Sequence, residues 1–420
     1  MVPVIYVAAY EVDVAKMPPS EVTARMGTVS RKNETQNDES TLKEEDYDTV
    51  VIDGVTTMVR RELKRMCDFA DAETIDYVVR QREDAQKARI TSEGQLRQWQ
   101  AQNPDKQNEM LEYLVAQNKG RELESTTFLG IMVEQHPIGK WLGTIRGIGP
   151  ALAGQLIATF RVKSWRCYGD NEKDRCSCED NRCTSNYKDA KGNVVACGYE
   201  VRPYVGAWYR FAGVTGNLEH DGWAKGEKRK WSANAKKLLY LVGQSFVKVS
   251  NSDKEGWIPT EGQYNYGAYY RIMKDQEWID NVNGANAEYI EKKRAKGIKM
   301  PGKGTQAELW YSGKLDPEWV RAQPAFRGDT GSSWPQGVKQ YPLAEEGKGV
   351  PMIPPDQVDK RACRKAYKMF LSHMHEVMYR IEFGGEDPPL PYIIAHDEGH
   401  NQFIPAPNQD IFDGYVDFQD

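Results

Sequence analysis

Long hydrophobic runs are missing from the 420 residues, so no bilayer-spanning helix is expected. The apolar opening from Met1 to Tyr10 has no basic flank before it, and a signal peptide is not expected either. Together these absences predict a soluble cytoplasmic protein with no membrane partner. A basic excess is missing too: 56 Lys and Arg stand against 61 Asp and Glu, a formal net charge of −5. Such a chain is not a basic coat for nucleic acid, and any contact of that kind must come from local patches. Histidine is scarce, with six residues, and cysteine is limited to an odd seven. What is plentiful is length, enough for two or three domains with cores of their own.

The cysteines are unevenly spread. Cys67 and Cys363 stand alone in helical patterns and are expected to be buried thiols. The other five fall between Cys167 and Cys197. In a cytosolic chain such a cluster suggests metal before disulfides. Cys176, Cys178, Cys183 and Cys197 are the preferred ligands of a tetrahedral structural zinc, with Cys167 as the substitute. Their spacing does not match a CxxC…CxxC ribbon, so structural zinc and a loop of free thiols both stand open, with a disulfide pair third. No catalytic metal is expected there, since nothing supplies an open position or a general base. His373 and His375 lie i, i+2 on a helix and point apart, while His396 and His400 follow the Pro388 to Pro391 run in a loop. Packing or capping is expected of all four.

The stretch from Trp141 to Phe160 organises the rest. It reads as a short helix, a tight turn at Gly147, Ile148 and Gly149, and a second helix opening at Pro150. Glycine accepts the positive φ of such a turn, and proline suits the first helical position. The N–H groups of Gly149 and Ala151 would then face outward from a helix start, which favours an anion such as a nucleic-acid phosphate. The pattern is that of a helix-hairpin-helix element, which holds DNA by its backbone.

Taken in order, residues 1–54 read as a strand-like start, an acidic flexible segment from Glu34 to Asp48, and a strand from Tyr47 ending at Asp53. Asp53 is expected to be a capping residue before a metal ligand, because no further carboxylates stand at a useful spacing. Residues 55–136 read as helical, with Met58, Leu63 and Met66 among basic side chains, a helix from Ala72 to Ala88, and a new helix capped at Thr91 or Ser92 and broken at Asn103-Pro104. Met110, Leu111, Leu114 and Val115 share one face of the next. The basic face here could follow a phosphate backbone or simply be solvated.

Residues 137–250 hold the hairpin, a cysteine-rich insertion at 165–200, and the most positive segment of the chain. There Lys225, Lys228, Arg229, Lys230, Lys236 and Lys237 alternate with Trp223 and Trp231, opposed only by Glu227. Aromatics among cations suit phosphate contact combined with base or sugar packing. Ser232 or Asn234 is expected to cap a helix that buries Leu238, Leu239, Val242 and Phe246. Residues 251–358 read as an irregular Gly-, Pro- and Tyr-rich region with two helical stretches near Tyr264 and Ala287. Residues 359–420 read as a helix to Phe383 with Arg361, Arg364, Lys365 and Lys368 near its start, then an acidic tail that is solvated, binds a protein or competes with DNA. The expected fold is mainly α, a helical bundle carrying the helix-hairpin-helix and the cysteine-rich loop insertion, for which zinc binding stands open.

Three runs carry a resemblance: Leu142 to Ala158 around Gly147-Ile148-Gly149-Pro150, Tyr209 to Gly213, and Gly226 to Leu239. Together they resemble the C-terminal domain of bridge-RNA-guided insertion-sequence transposases. Arg364 to His373 is similar to a later helix of transposase-like proteins from phages and plasmids. That family pairs a RuvC-like domain carrying an acidic set with a helix-hairpin-helix domain whose Ser-Gly supplies a nucleophile. Here Asp221-Gly222 stands at the Ser-Gly position, and an aspartate cannot form the same phosphoserine link. No acidic set is identifiable. The resemblance therefore implies a DNA-binding protein that grips the backbone without sequence specificity and without recombinase activity. Gly147, Ile148, Gly149 and Ala151 would hold one phosphate strand, and the lysine-rich segment another. An active recombinase or metal-dependent nuclease, and a protein-interaction module, are the alternatives, with self-association open.

Overall fold

The computed structural model describes residues 47–52, 55–67, 71–166, 186–188, 194–196, 199–216, 221, 226–250, 265–295, 297, 300–323, 341–390 and 404–407. The fold is mainly helical. It divides into two compact units, Met1–Gly143 with Ile148–Arg161, and Thr144–Gly147 with Val162–Asp420. Among the described residues no helix is long and apolar enough to cross a membrane.

The first unit begins with an antiparallel pair, β1 (Tyr47–Ile52) and β2 (Val55–Arg60), in which Ile52 faces Val55. Strand at Val55–Arg60 corrects the helical expectation for residues 55–60. The run is rich in β-branched residues, which fits a pleated strand better than a helix. Helix α1 (Arg61–Cys67) follows directly. Next come two long helices, α2 (Ala72–Gln102) and α3 (Glu109–Gln135), packed along each other. Asp71 caps α2 by accepting from the Thr74 N–H at 2.7 Å.

Helix α2 runs unbroken through Thr91, where a new start was expected. Ser92 turns inward instead of capping: its hydroxyl donates to the Ala88 carbonyl and accepts from Asn118 of α3 at 2.8 Å. Glu122 of α3 adds a clasp, accepting from Arg82, Gln86 and Arg89 of α2. Met110 and Leu114 are exposed, so the expected apolar face of α3 is not a core face at its start. The buried stripe begins at Thr127 and takes in Leu129, Ile131, Met132 and Val133.

Helices α4 (Pro137–Gly143) and α5 (Pro150–Thr159) complete this unit. Trp141, Leu142, Leu156 and Ile157 are all buried. Gly154 lets α5 come close, since a Cβ there would lie 3.0 Å from Leu129.

In the second unit, β3 (Ser164–Arg166) pairs with β6 (Tyr199–Val201). A small hairpin of β4 (Asn186–Lys188) and β5 (Val194–Ala196) lies between them in sequence. Helices α6 (Val205–Ala212), α7 (Ala233–Val249), α8 (Tyr266–Val282) and α12 (Pro355–Glu382) pack on one another. Phe246 of α7 stacks on Tyr266 at 5.0 Å and meets Phe370 edge-on at 5.5 Å. Gly243 permits the α7–α12 approach, because a Cβ would fall 2.4 Å from the Cys363 sulfur. Cys67 and Cys363 are buried free thiols, as expected.

Residues 251–358 are less irregular than their composition suggested. Besides α8 they form α9 (Ala287–Ala295), α10 (Gln306–Ser312) and α11 (Pro317–Arg321). Trp278, Ile290, Trp310, Val320, Met352 and Ile353 form a core of their own there. The glycines and prolines punctuate these short helices: Thr305 caps α10, Gly313 ends it with positive φ, and Pro317 opens α11.

His373 and His375 are packing residues, as expected. His373 bridges Tyr266 at 2.7 Å and the Ile404 carbonyl at 3.0 Å, and His375 meets the Pro203 carbonyl at 2.8 Å. Burial holds His373 neutral, its pKa pushed down to about 4. A histidine whose folded pKa lies below its unfolded value stabilises the fold above the unfolded pKa, and that stability is lost as pH falls towards the folded one. Urea unfolding between pH 7 and 4 should therefore show stability falling by on the order of 3 kcal/mol from His373. His373→Gln should flatten that slope; an unchanged slope would dismiss this assignment.

Candidate functional site

The turn between α4 and α5 has the predicted local form. Gly147 carries the positive φ, at 92°. Gly149 is the extended N-cap of α5 with no side-chain cap hydrogen bond, and Pro150 takes the first helical position. Ile145 and Ile148 are buried, so Ile148 offers a ligand its backbone alone. Within the second unit, the Gly147 carbonyl accepts from the Ser245 hydroxyl, and a Cβ on Gly147 would lie 3.0 Å from that oxygen. Gly147→Ala combines a disfavoured φ with this close approach. It should lower stability by about 1–2 kcal/mol, read as a reduced denaturant midpoint; an unchanged midpoint would mean the turn relaxes freely.

The lysine-rich segment sits on the second unit. Gly226 to Lys230 are exposed, Ser232 caps α7 by accepting from the Ala235 N–H, and the Ser232 N–H donates to the Phe211 carbonyl at 2.7 Å. Trp231 is thereby laid against Gly213, the left-handed end of α6. A Cβ on Gly213 would come within 2.6 Å of the indole. Leu238, Leu239, Val242 and Phe246 are buried, as their spacing predicted. That anchors the opposite face of α7, leaving Lys237 and Tyr240 exposed.

Trp231 gathers cations. The Lys236 ammonium lies 4.1 Å from its ring centre and the Arg229 guanidinium 5.5 Å. Among the described residues Lys228, Lys230, Lys236 and Lys237 enter no ion pair, although ion pairs are common elsewhere in the chain. Lys225 lies outside the described residues, as do Trp223, Asp53, His396, His400 and the acidic tail from residue 408.

Arg364 and Lys368 were not singled out as ligands from the sequence. Arg361, Arg364, Lys365 and Lys368 lie on successive turns of α12, yet they divide into two pairs. Arg361 and Lys365 meet the buried Glu277 of α8, at 3.5 and 2.7 Å. Arg364 and Lys368, also four apart, share a different face. Lys368 stands 4.6 Å over the Tyr209 ring of α6, and Tyr209 donates to the Lys368 carbonyl at 3.2 Å and meets the Ser372 hydroxyl. Burial pushes the Tyr209 phenol up to about 12. Their spacing was the available signal, but it marks a pair without naming which partner each pair meets.

Lys236 and Lys368 are both held below the usual lysine range. Burial is the main cause, Arg364 adds repulsion, and Asp221 acts the other way. Arg364 and Asp221 also act on Tyr367, so these charges share one neighbourhood. Asp221 closes a turn: it accepts from the Thr215 hydroxyl at 2.9 Å and the Gly216 N–H at 2.8 Å.

The proposed zinc ligands Cys176, Cys178, Cys183 and Cys197, with Cys167, lie outside the described residues. Among the described residues no group of three or more His, Cys, Asp or Glu is placed to hold a metal. Comparison with protein-family models, curated proteins and solved structures finds no match.

Proposed function

We propose that the chain is a DNA-binding protein that grips the phosphate backbone without reading bases and without recombinase activity. The observation that carries this reading is the exposed cationic face of α7 and the segment before it. Lys228, Lys230 and Lys237 are exposed with no ion pair among the described residues, in a chain whose formal net charge is −5. In such a chain an unneutralised basic patch beside exposed Tyr240 and Phe211 suits a polyanion with stackable bases. The turn at Gly147, Ile148, Gly149 and Ala151 supplies a second backbone grip, a helix-hairpin-helix whose N–H groups donate to one phosphate. Asp221 supports binding without cutting, because its carboxylate oxygens hold the Thr215–Gly216 turn.

Counterion release then sets the test. Fluorescence anisotropy with a labelled duplex should show affinity falling by about 10³-fold or more between ~50 and ~200 mM salt if about six phosphates are contacted. Scrambling the duplex sequence should change little. A Kd nearly flat in salt would refute the reading.

A further inference from the structure

We infer that Lys236, Arg364 and Lys368, walled by Trp231 and Tyr209, form a built site for a phosphate group. The inference rests on the DNA-binding reading only for where that phosphate comes from. Its basis is a charge imbalance where α6, α7 and α12 pack on one another. Arg364 of α12 acts on both Lys236 of α7 and Lys368, and among the described residues Asp221, whose oxygens accept from Thr215 and Gly216, is the carboxylate that acts the other way on both. Neither lysine has an ion pair among the described residues, whereas Arg361 and Lys365 on the same helix converge on Glu277. Each ammonium instead faces an aromatic ring, Trp231 at 4.1 Å and Tyr209 at 4.6 Å.

Ring faces stabilise a cation weakly and leave its outer N–H donors for another acceptor. Taking lysine out of water without a carboxylate is unfavourable for the empty protein. A tetrahedral dianion or a phosphodiester, with several acceptor oxygens, would satisfy all three cations at once. Trp231 is held by Gly213 and Tyr209 by Ser372, so the walls are fixed before any ligand arrives.

This arrangement separates a ligand site from a structural cluster. Lys368→Met keeps the stem and removes the partly dehydrated charge. The full-length variant should melt at the same temperature as wild type or higher, while its binding weakens; a clear loss of melting temperature would overturn the proposal. Duplex binding by anisotropy and stabilisation by inorganic pyrophosphate in a thermal-shift assay distinguish the source of the phosphate. For a backbone phosphodiester, Lys368→Met and Arg364→Gln each raise the duplex Kd about tenfold and pyrophosphate competes poorly. For a free phosphate compound, pyrophosphate raises the melting temperature of wild type and of neither variant. If both variants match wild type in both assays, the site does not exist. The backbone-grip reading fails separately, on the salt dependence of duplex binding, and the pyrophosphate arm stands whichever way that goes.

Discussion

Replacing Lys228, Arg229 and Lys230 together with glutamate is expected to raise the Kd for duplex DNA by about two to three orders of magnitude at ~0.1 M salt. Each phosphate contact releases close to one counterion, so each lost contact removes about 0.9 from the slope of log affinity against log salt. At ~0.1 M that is nearly a decade of affinity per residue, and reversal adds repulsion to the loss. All three residues are exposed, so the fold should survive, with unchanged helicity by circular dichroism. The slope of the salt plot should fall by about 2 to 3. A change in Kd under about threefold, with helicity intact, would show that DNA does not lie on this face.

The prominence of this face was legible in the residues themselves. A run of cations around Trp231, a capping Ser232 and apolar positions at 238, 239, 242 and 246 define a helix with one buried side and one charged side. Gly147 and Pro150 were equally legible, because positive φ and a missing N–H are backbone properties that depend little on what surrounds them. What was not legible depends on partners distant in the chain. Ser92 looked like a cap until Asn118 supplied its acceptor's donor from another helix. The helices near Tyr264 and Ala287 were legible, whereas α10 and α11 were hidden because each is too brief for periodicity to show. They are held by a shared core around Trp278 and Trp310. The four cations of α12 looked alike in sequence, and only the placement of Glu277 on α8 separates the neutralised Arg361 and Lys365 from Lys368, which stands over Tyr209.

The core beneath the basic face leads to the second large effect. Phe246→Ala should destabilise the second unit by about 3–5 kcal/mol. Phe246 is fully buried, and its ring lies between Tyr266 at 5.0 Å and Phe370 at 5.5 Å, so α7, α8 and α12 meet at this side chain. Truncation removes the ring's burial and leaves a cavity bounded by two aromatics that are themselves in mutual contact at 5.4 Å and so cannot both collapse into it. For a unit of this size each kcal/mol lowers the midpoint by roughly 2–4 °C, so calorimetry should record a fall on the order of 10 °C. A fall of under about 2 °C would mean the three helices do not share this core. Duplex affinity supplies the contrast with the charge reversal. Phe246 reaches none of the exposed cations, so where the variant remains folded its Kd should stay near the wild-type value. Stability and binding are then carried by opposite faces of the same helix.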